Sequence, residues 1–92
     1  MRRAARIDPV QVEIVRALRA AGCSVQALSP AGKEDAGLPD LLVARNRSMF
    51  LLEIKTPGQK PSERQREWHA RWRAPVAVVS SVSEAMRTVG AL

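Results

Sequence analysis

Cysteine and histidine are almost absent from this chain: Cys23 and His69 are the single examples of each in 92 residues. A lone cysteine makes no internal disulfide, and one cysteine with one histidine is too small a set for structural zinc. Stability must therefore come from packing. Long apolar runs are absent as well. The longest, Ala74 to Val79, has six residues, far short of the ~20 that a membrane-spanning helix needs. The opening Met1-Arg2-Arg3-Ala4-Ala5-Arg6 is basic like the start of a secretion signal, but the segment after it carries charge where such a signal is apolar. These absences point to a cytoplasmic protein with no membrane partner. Glycine is too sparse at Gly32 and Gly37 for a dinucleotide-binding loop, and no Ser/His/Asp arrangement is present.

Acidic residues are also in short supply. Lys and Arg number 15 against 9 Asp and Glu, giving a formal net charge of +6 and an isoelectric point near 11.1. A small basic domain favours an anionic partner, and nucleic acid is the commonest one, although basic surfaces also serve solubility alone. Placement adds information: from Arg45 to Arg73 the chain carries eight basic and three acidic residues, a local surplus of five. With 46% hydrophobic and 26% charged residues, the composition is that of a folded globular chain. At this length roughly 60 to 65% of the unfolded surface is buried, enough for one two-layer core. The expectation is a single domain over residues 1–92, with residues 1–7 as a flexible basic tail.

Local signals order the elements. Asp8-Pro9-Val10-Gln11 is a helix start, with Asp8 as N-cap and Pro9 where its missing N–H is harmless. Val10, Ile14, Ala17, Leu18 and Ala21 recur at helical spacing up to a stop at Gly22. Cys23 to Leu28 is a short strand, and Ser29 to Gly37 a turn-rich, mobile loop. Leu38 to Ala44 and Ser48 to Lys55 read as two strands turning at Arg45-Asn46-Arg47, an antiparallel hairpin. Ser62 and Gln65 form a capping-box pattern that starts a second helix running to about Arg73, with Trp68 and Trp72 on its inner face as core anchors. Ala74 to Val79 is a buried strand, and Ser81 caps a last helix ending near Gly90. The order is αβββαβα.

Chemistry is suggested by ionisable residues inside runs that should be buried. An unpaired carboxylate in a core costs several kcal/mol, so acids on central strands pair, ligate metal or carry function. Asp40 opens one such run; Glu53 and Lys55 close the next. Strand alternation puts Glu53 and Lys55 on one face, and pairing about the Asn46 turn sets position 40 opposite a position near 53. Two hard carboxylates with a backbone carbonyl suit Mg²⁺ or Mn²⁺, and that chemistry suits phosphodiester hydrolysis with Lys55 beside the reacting phosphate. A same-face ion pair on an edge strand is the plainer reading of Glu53 and Lys55.

Gly37-Leu38-Pro39-Asp40-Leu41-Leu42-Val43 followed by Phe50-Leu51-Leu52-Glu53-Ile54-Lys55-Thr56 resembles the Pro-Asp…Glu-x-Lys signature of the PD-(D/E)XK nuclease superfamily. More narrowly, with Pro61-Ser62-Glu63-Arg64-Gln65 downstream, it resembles the stand-alone form of the VRR-NUC (virus-type replication-repair nuclease) family. The resemblance spans roughly Val10 to Leu92. It implies an α/β fold with a restriction-endonuclease-like core, αβββαβ plus a C-terminal helix, whose central mixed sheet is flanked by helices. It further implies a metal-dependent DNA endonuclease using Mg²⁺ or Mn²⁺ and acting as a homodimer on branched DNA such as four-way junctions or flaps.

Residue by residue, the resemblance makes Asp40 and Glu53 metal ligands, the Ile54 main-chain carbonyl a further ligand, Lys55 the catalytic lysine and Gln65 a site residue. The family also draws a glutamate from the first helix. Glu13 is the one available, about 40° around the helix from Ala17, though a solvated acid near the helix start is the plainer account. Gln65 shares the inner side of its helix with the tryptophans, but is also the capping partner of Ser62. Arg45, Arg47, Lys60, Arg64 and Arg66 cluster in sequence around the site as candidate phosphate contacts. His69 reads as a solvated surface residue. The competing function is a non-catalytic DNA-binding module that keeps the fold; sequence-specific cutting lacks a recognition domain.

Overall fold

A computed structural model describes residues 8–28 and 37–92. The expected basic tail over residues 1–7, and all of the Ser29–Gly37 loop but Gly37, lie outside the described residues.

Seven elements follow in the expected order: α1 (Pro9–Ala20), β1 (Ser24–Ala27), β2 (Leu41–Arg45), β3 (Ser48–Ile54), α2 (Glu63–Arg71), β4 (Val76–Val79) and α3 (Val82–Thr88). Each helix begins where its cap chemistry places it. Asp8 Oδ1 accepts the Val10 N–H at 2.9 Å, Ser62 accepts from Gln65, and Ser81 accepts from Glu84. These side chains satisfy amides that an unfinished helical turn leaves without partners. α1 closes at Gly22, whose φ of +92° is a left-handed conformation that favours glycine.

The strands form one mixed sheet in the order β1-β2-β3-β4, with β1–β2 and β2–β3 antiparallel and β3–β4 parallel. The β2–β3 register pairs Arg45 with Ser48 across the two-residue Asn46–Arg47 turn. Both turn residues are left-handed, with φ of +51° and +69°, the combination that matches the twist of a tight hairpin. The parallel step from β3 to β4 is the one that carries a helix, α2, as such a crossover requires.

Alternation then divides the sheet into two faces. One carries Leu41, Val43, Leu52, Ile54 and Val79, which pack with Ile14 and Leu18 of α1 and Ala85 and Val89 of α3. This face is the core: none of these residues is more than 7% exposed. The other carries Leu42, Ala44, Met49, Leu51, Glu53, Val76 and Val78, and here Met49 (67%) and Val78 (44%) stand in solvent.

The second helix modifies one expectation. Trp68 is buried, but Trp72 is 49% exposed. α2 ends at Arg71, short of the Arg73 that its pattern suggests, leaving Trp72 as an extended C-cap stacked on Trp68 with ring centroids 4.6 Å apart. Trp68, Trp72, Leu42, Met49, Leu51 and Pro75 border an almost wholly apolar groove of about 640 Å³.

Candidate active site

The site is assembled at the open end of the β2–β3 hairpin, away from the Asn46–Arg47 turn. Leu41 pairs with Leu52, so Asp40 stands one step further along, level with Glu53. Asp40 precedes β2, and its carboxylate is fixed by the backbone: Oδ2 accepts the Ile54 N–H at 2.8 Å. That bond ties the start of one strand to the end of the other. Glu53 lies on β3, between central neighbours on both sides, and is 1% exposed.

Glu53 is where electrostatics and packing conflict. Its Oε2 accepts from Gln65 Nε2 at 2.7 Å and faces Lys55 Nζ at 3.5 Å. Its Oε1 is buried with no hydrogen-bond partner among the described residues. Burial, followed by the negative charge of Asp40, raises the Glu53 pKa from 4.5 to about 7, while Lys55 pulls the other way. In the metal-free chain a proton between Glu53 and Asp40 relieves the repulsion. A cation bound to the same oxygens would relieve it in another way.

Gln65 reaches Glu53 from α2, and it performs both of the tasks its sequence position suggests. Its Oε1 accepts the Ser62 N–H at 2.8 Å, closing the capping box, while its Nε2 holds Glu53. The two ends of one amide divide the work. α2 comes close to the site because Gly37 lacks a side chain. A Cβ there would lie 2.4 Å from Trp68 Cβ and 2.7 Å from the Arg64 carbonyl oxygen, closer than atoms pack.

Of the remaining expected site residues, some converge and others do not. The Ile54 backbone lies between Asp40 and Lys55, and the Lys55 side chain is 15% exposed beside Glu53. Lys60, Arg64 and Arg66 are exposed before and along the first turn of α2, with Arg66 Nη1 donating to the Pro61 carbonyl at 2.7 Å. Arg45 and Arg47 lie elsewhere. Arg45 ends β2 and Arg47 sits in the hairpin turn, roughly 17 Å of strand from Asp40 at about 3.3 Å per residue. Arg45 there donates to the Val89 carbonyl at 3.4 Å, at the C-terminal end of α3. Neighbourhood in sequence does not become neighbourhood in space because the hairpin points its two ends apart. Glu13 is exposed on α1, whose buried side covers the opposite face of the sheet. Among the described residues no third Asp, Glu, His or Cys joins Asp40 and Glu53.

His69 corrects the sequence reading. It is half-buried, not solvated, and its Nε2 is shielded from solvent with no hydrogen-bond partner among the described residues. The signal is present in the spacing: His69 is four residues after Gln65, on the same side of α2. Burial, with the Lys55 charge as a second cause, lowers its pKa below the usual imidazole value.

The donor set fits a hard divalent cation. It offers two convergent carboxylates, one with a buried and unengaged oxygen, next to a strand-end backbone and a lysine. No protein-family model matches the chain, and no curated protein matches it by sequence. A solved structure described as a VRR_NUC domain is similar: 32% identical, with a TM-score of 0.72, covering 87% of this chain and 89% of that one. With the expected element order and mixed sheet in place, the chain belongs to the VRR-NUC family of the PD-(D/E)XK nuclease superfamily.

Proposed function

We propose that this nuclease domain is a Mg²⁺- or Mn²⁺-dependent DNA endonuclease that hydrolyses phosphodiester bonds and favours branched duplexes, working as a homodimer. The observation that carries the metal-dependent reading is the half-satisfied Glu53 carboxylate, buried beside Asp40 and Lys55. A structural ion pair does not require a second acid against it, nor an orphaned oxygen.

In this reading Asp40, Glu53 and the Ile54 carbonyl would hold the cation, which when bound would supply Lewis acidity toward the phosphate and make water at the site easier to deprotonate. The chain's own residues do the rest. Asp40 is kept in place by the Ile54 amide, and Gln65 fixes the orientation of Glu53. Lys55 places a positive charge where the phosphate gains negative charge during attack. Lys60, Arg64 and Arg66, exposed near the start of α2, contact phosphates and position the duplex without reading its sequence.

The homodimer is supported by the apolar groove and by Met49, Val78 and Trp72, large apolar residues exposed on or beside the face that carries Glu53. A two-fold pair covers one such patch with another and sets two sites on one branched substrate.

The test is cleavage of labelled linear, flap, splayed and four-way-junction DNA with Mg²⁺ and Mn²⁺, by wild type and by Lys55→Ala, with binding measured in Ca²⁺. Cleavage by wild type, lost in Lys55→Ala while binding persists, is the expected result. Binding without any cleavage by wild type would replace the endonuclease with a non-catalytic DNA-binding module. Light scattering across micromolar concentrations reads the dimer, and Met49→Glu should shift it to monomer.

A further inference from the structure

Trp72 is packed on one side only. It is the C-cap of α2, with extended dihedrals (φ −73°, ψ 135°) and its N–H donating to the Trp68 carbonyl at 3.0 Å. Its ring lies on that of Trp68, with centroids 4.6 Å apart and planes at 18°, and Trp68 is itself buried. One π-face is therefore taken, and the residue is still 49% exposed, as a second, open face requires. A ring held flat on a buried partner is pre-organised, so a planar group that lands on it has little side-chain freedom to remove.

The surroundings select the kind of planar group. Arg71 and Arg73 flank Trp72 and are exposed, and no Asp or Glu occurs from Trp68 to Ser83. The core of a protein–protein interface is depleted of charged residues, and a two-fold pair centred on Trp72 would set these arginines against their own copies. Met49 and Val78, exposed with uncharged chain neighbours, suit the pair better. An unpaired base suits Trp72, because it offers a flat face with a phosphate on either side. Position agrees as well. Trp72 is seven residues from Gln65, which holds Glu53, or about 10 Å along α2 at ~1.5 Å per residue. That length matches about three nucleotides at ~3.4 Å each.

We propose that Trp72 is a stacking platform for one unpaired base of the DNA, about three nucleotides from the phosphate at the Asp40–Glu53 pair, with Arg71 and Arg73 on the adjoining phosphates. The distance to the cut rests on the endonuclease reading given above; the stacking rests only on DNA binding. Such a contact favours branched over fully paired DNA with no readout of sequence.

The test uses the full chain in Ca²⁺ with a flap DNA and a fully paired duplex of the same length, each bound by wild type, Trp72→Leu and Trp72→Phe. Trp72→Leu should lower the ratio of flap to duplex affinity about five- to a hundredfold, and phenylalanine, which keeps a π-face, should recover most of it. A single 2-aminopurine moved along the unpaired arm should change its fluorescence on binding at one position, and that change should be lost in Trp72→Leu. An unchanged affinity ratio in Trp72→Leu, or a 2-aminopurine signal indifferent to it, overturns the proposal. So does a shift of Trp72→Leu to monomer in light scattering, which would give the ring to the pair interface. If the wild type shows the 2-aminopurine signal but cuts nothing in Mg²⁺ or Mn²⁺, it is the endonuclease reading that fails, and the platform stands. If it binds no DNA, both fail.

Discussion

The two faces of the sheet are made by alternate residues of the same strands, yet they obey different rules. On the face covered by α1 and α3, Leu41, Val43, Leu52 and Val79 are packed with no ionisable residue among them. On the other, β3 buries Glu53 with an orphaned oxygen while leaving Met49 in solvent. Polar burial without satisfaction and apolar exposure without cover are both costly to a folded chain. Their concentration on one face, with none on the other, separates the part of the molecule that folds it from the part proposed to act. Leu52 and Glu53, adjacent in the chain, are the sharpest instance.

That pair also gives the largest expected effects. Glu53→Gln keeps the size and the Gln65 side of the contact but removes the charge proposed to hold a cation. Cleavage should fall by at least about a thousandfold, or roughly 4 kcal/mol of transition-state stabilisation, while the metal-free protein at pH 8 becomes more stable. Leu52→Ala does the reverse. It removes a 0% exposed side chain from the centre of the core and should cost about 2 to 5 kcal/mol by denaturant titration. At temperatures where the variant remains folded, its cleavage should stay near wild type. If Leu52→Ala lost cleavage while folded, or Glu53→Gln kept it, the division between faces would break.

A pH titration sharpens the comparison without any substitution. The Glu53 pKa is about 7 in the folded chain against 4.5 as its ordinary value. A carboxyl group raised by folding binds its proton more tightly in the native state, so its contribution is full below the unfolded value and is lost as pH rises through the folded one. The metal-free protein should therefore lose about 3 kcal/mol between pH 4.5 and about 8. Denaturation midpoints in chelator read this slope, and Glu53→Gln should flatten it. Ca²⁺ favours the charged carboxylate, so it should raise the midpoint more at pH 8 than at pH 5.

Most of the fold is legible in the sequence because its signals are local. Asp8, Ser62 and Ser81 cap their helices through bonds spanning two or three residues, and the two-residue turn at Asn46 fixes the hairpin register that brings Asp40 level with Glu53. The illegible part depends on packing between distant segments. The end of α2 at Arg71 leaves Trp72 exposed on Trp68, which no spacing rule for a longer helix could show. Sequence proximity groups Arg45 with the site, but its guanidinium reaches Val89, 44 residues away. Distance from the tryptophan stripe assigns His69 to solvent. A helix face is set by what packs on it, and the side of α2 that turns Gln65 toward Glu53 is partly buried along with the tryptophan side.

The smallest expected effect concerns the one amide that serves both local and site structure. Ser62→Ala removes the oxygen that accepts the Gln65 N–H and should cost about 1 kcal/mol, or roughly 4 to 8 °C in a chain of this size. It leaves Gln65 Nε2 on Glu53, so cleavage should stay within about twofold of wild type. Gln65→Ala removes half of the capping box and also frees Glu53 Oε2 from its 2.7 Å partner. Its cost to stability should be similar, since each change breaks one side of the same box, but its cleavage should fall about tenfold or more. Stability and cleavage measured on the two variants then separate the roles of the amide. Equal losses of cleavage would mean that Gln65 acts only by starting α2. A loss confined to Gln65→Ala would mean that the helix carries the amide to the carboxylate, and that the second face of the sheet is organised around holding Glu53 in place.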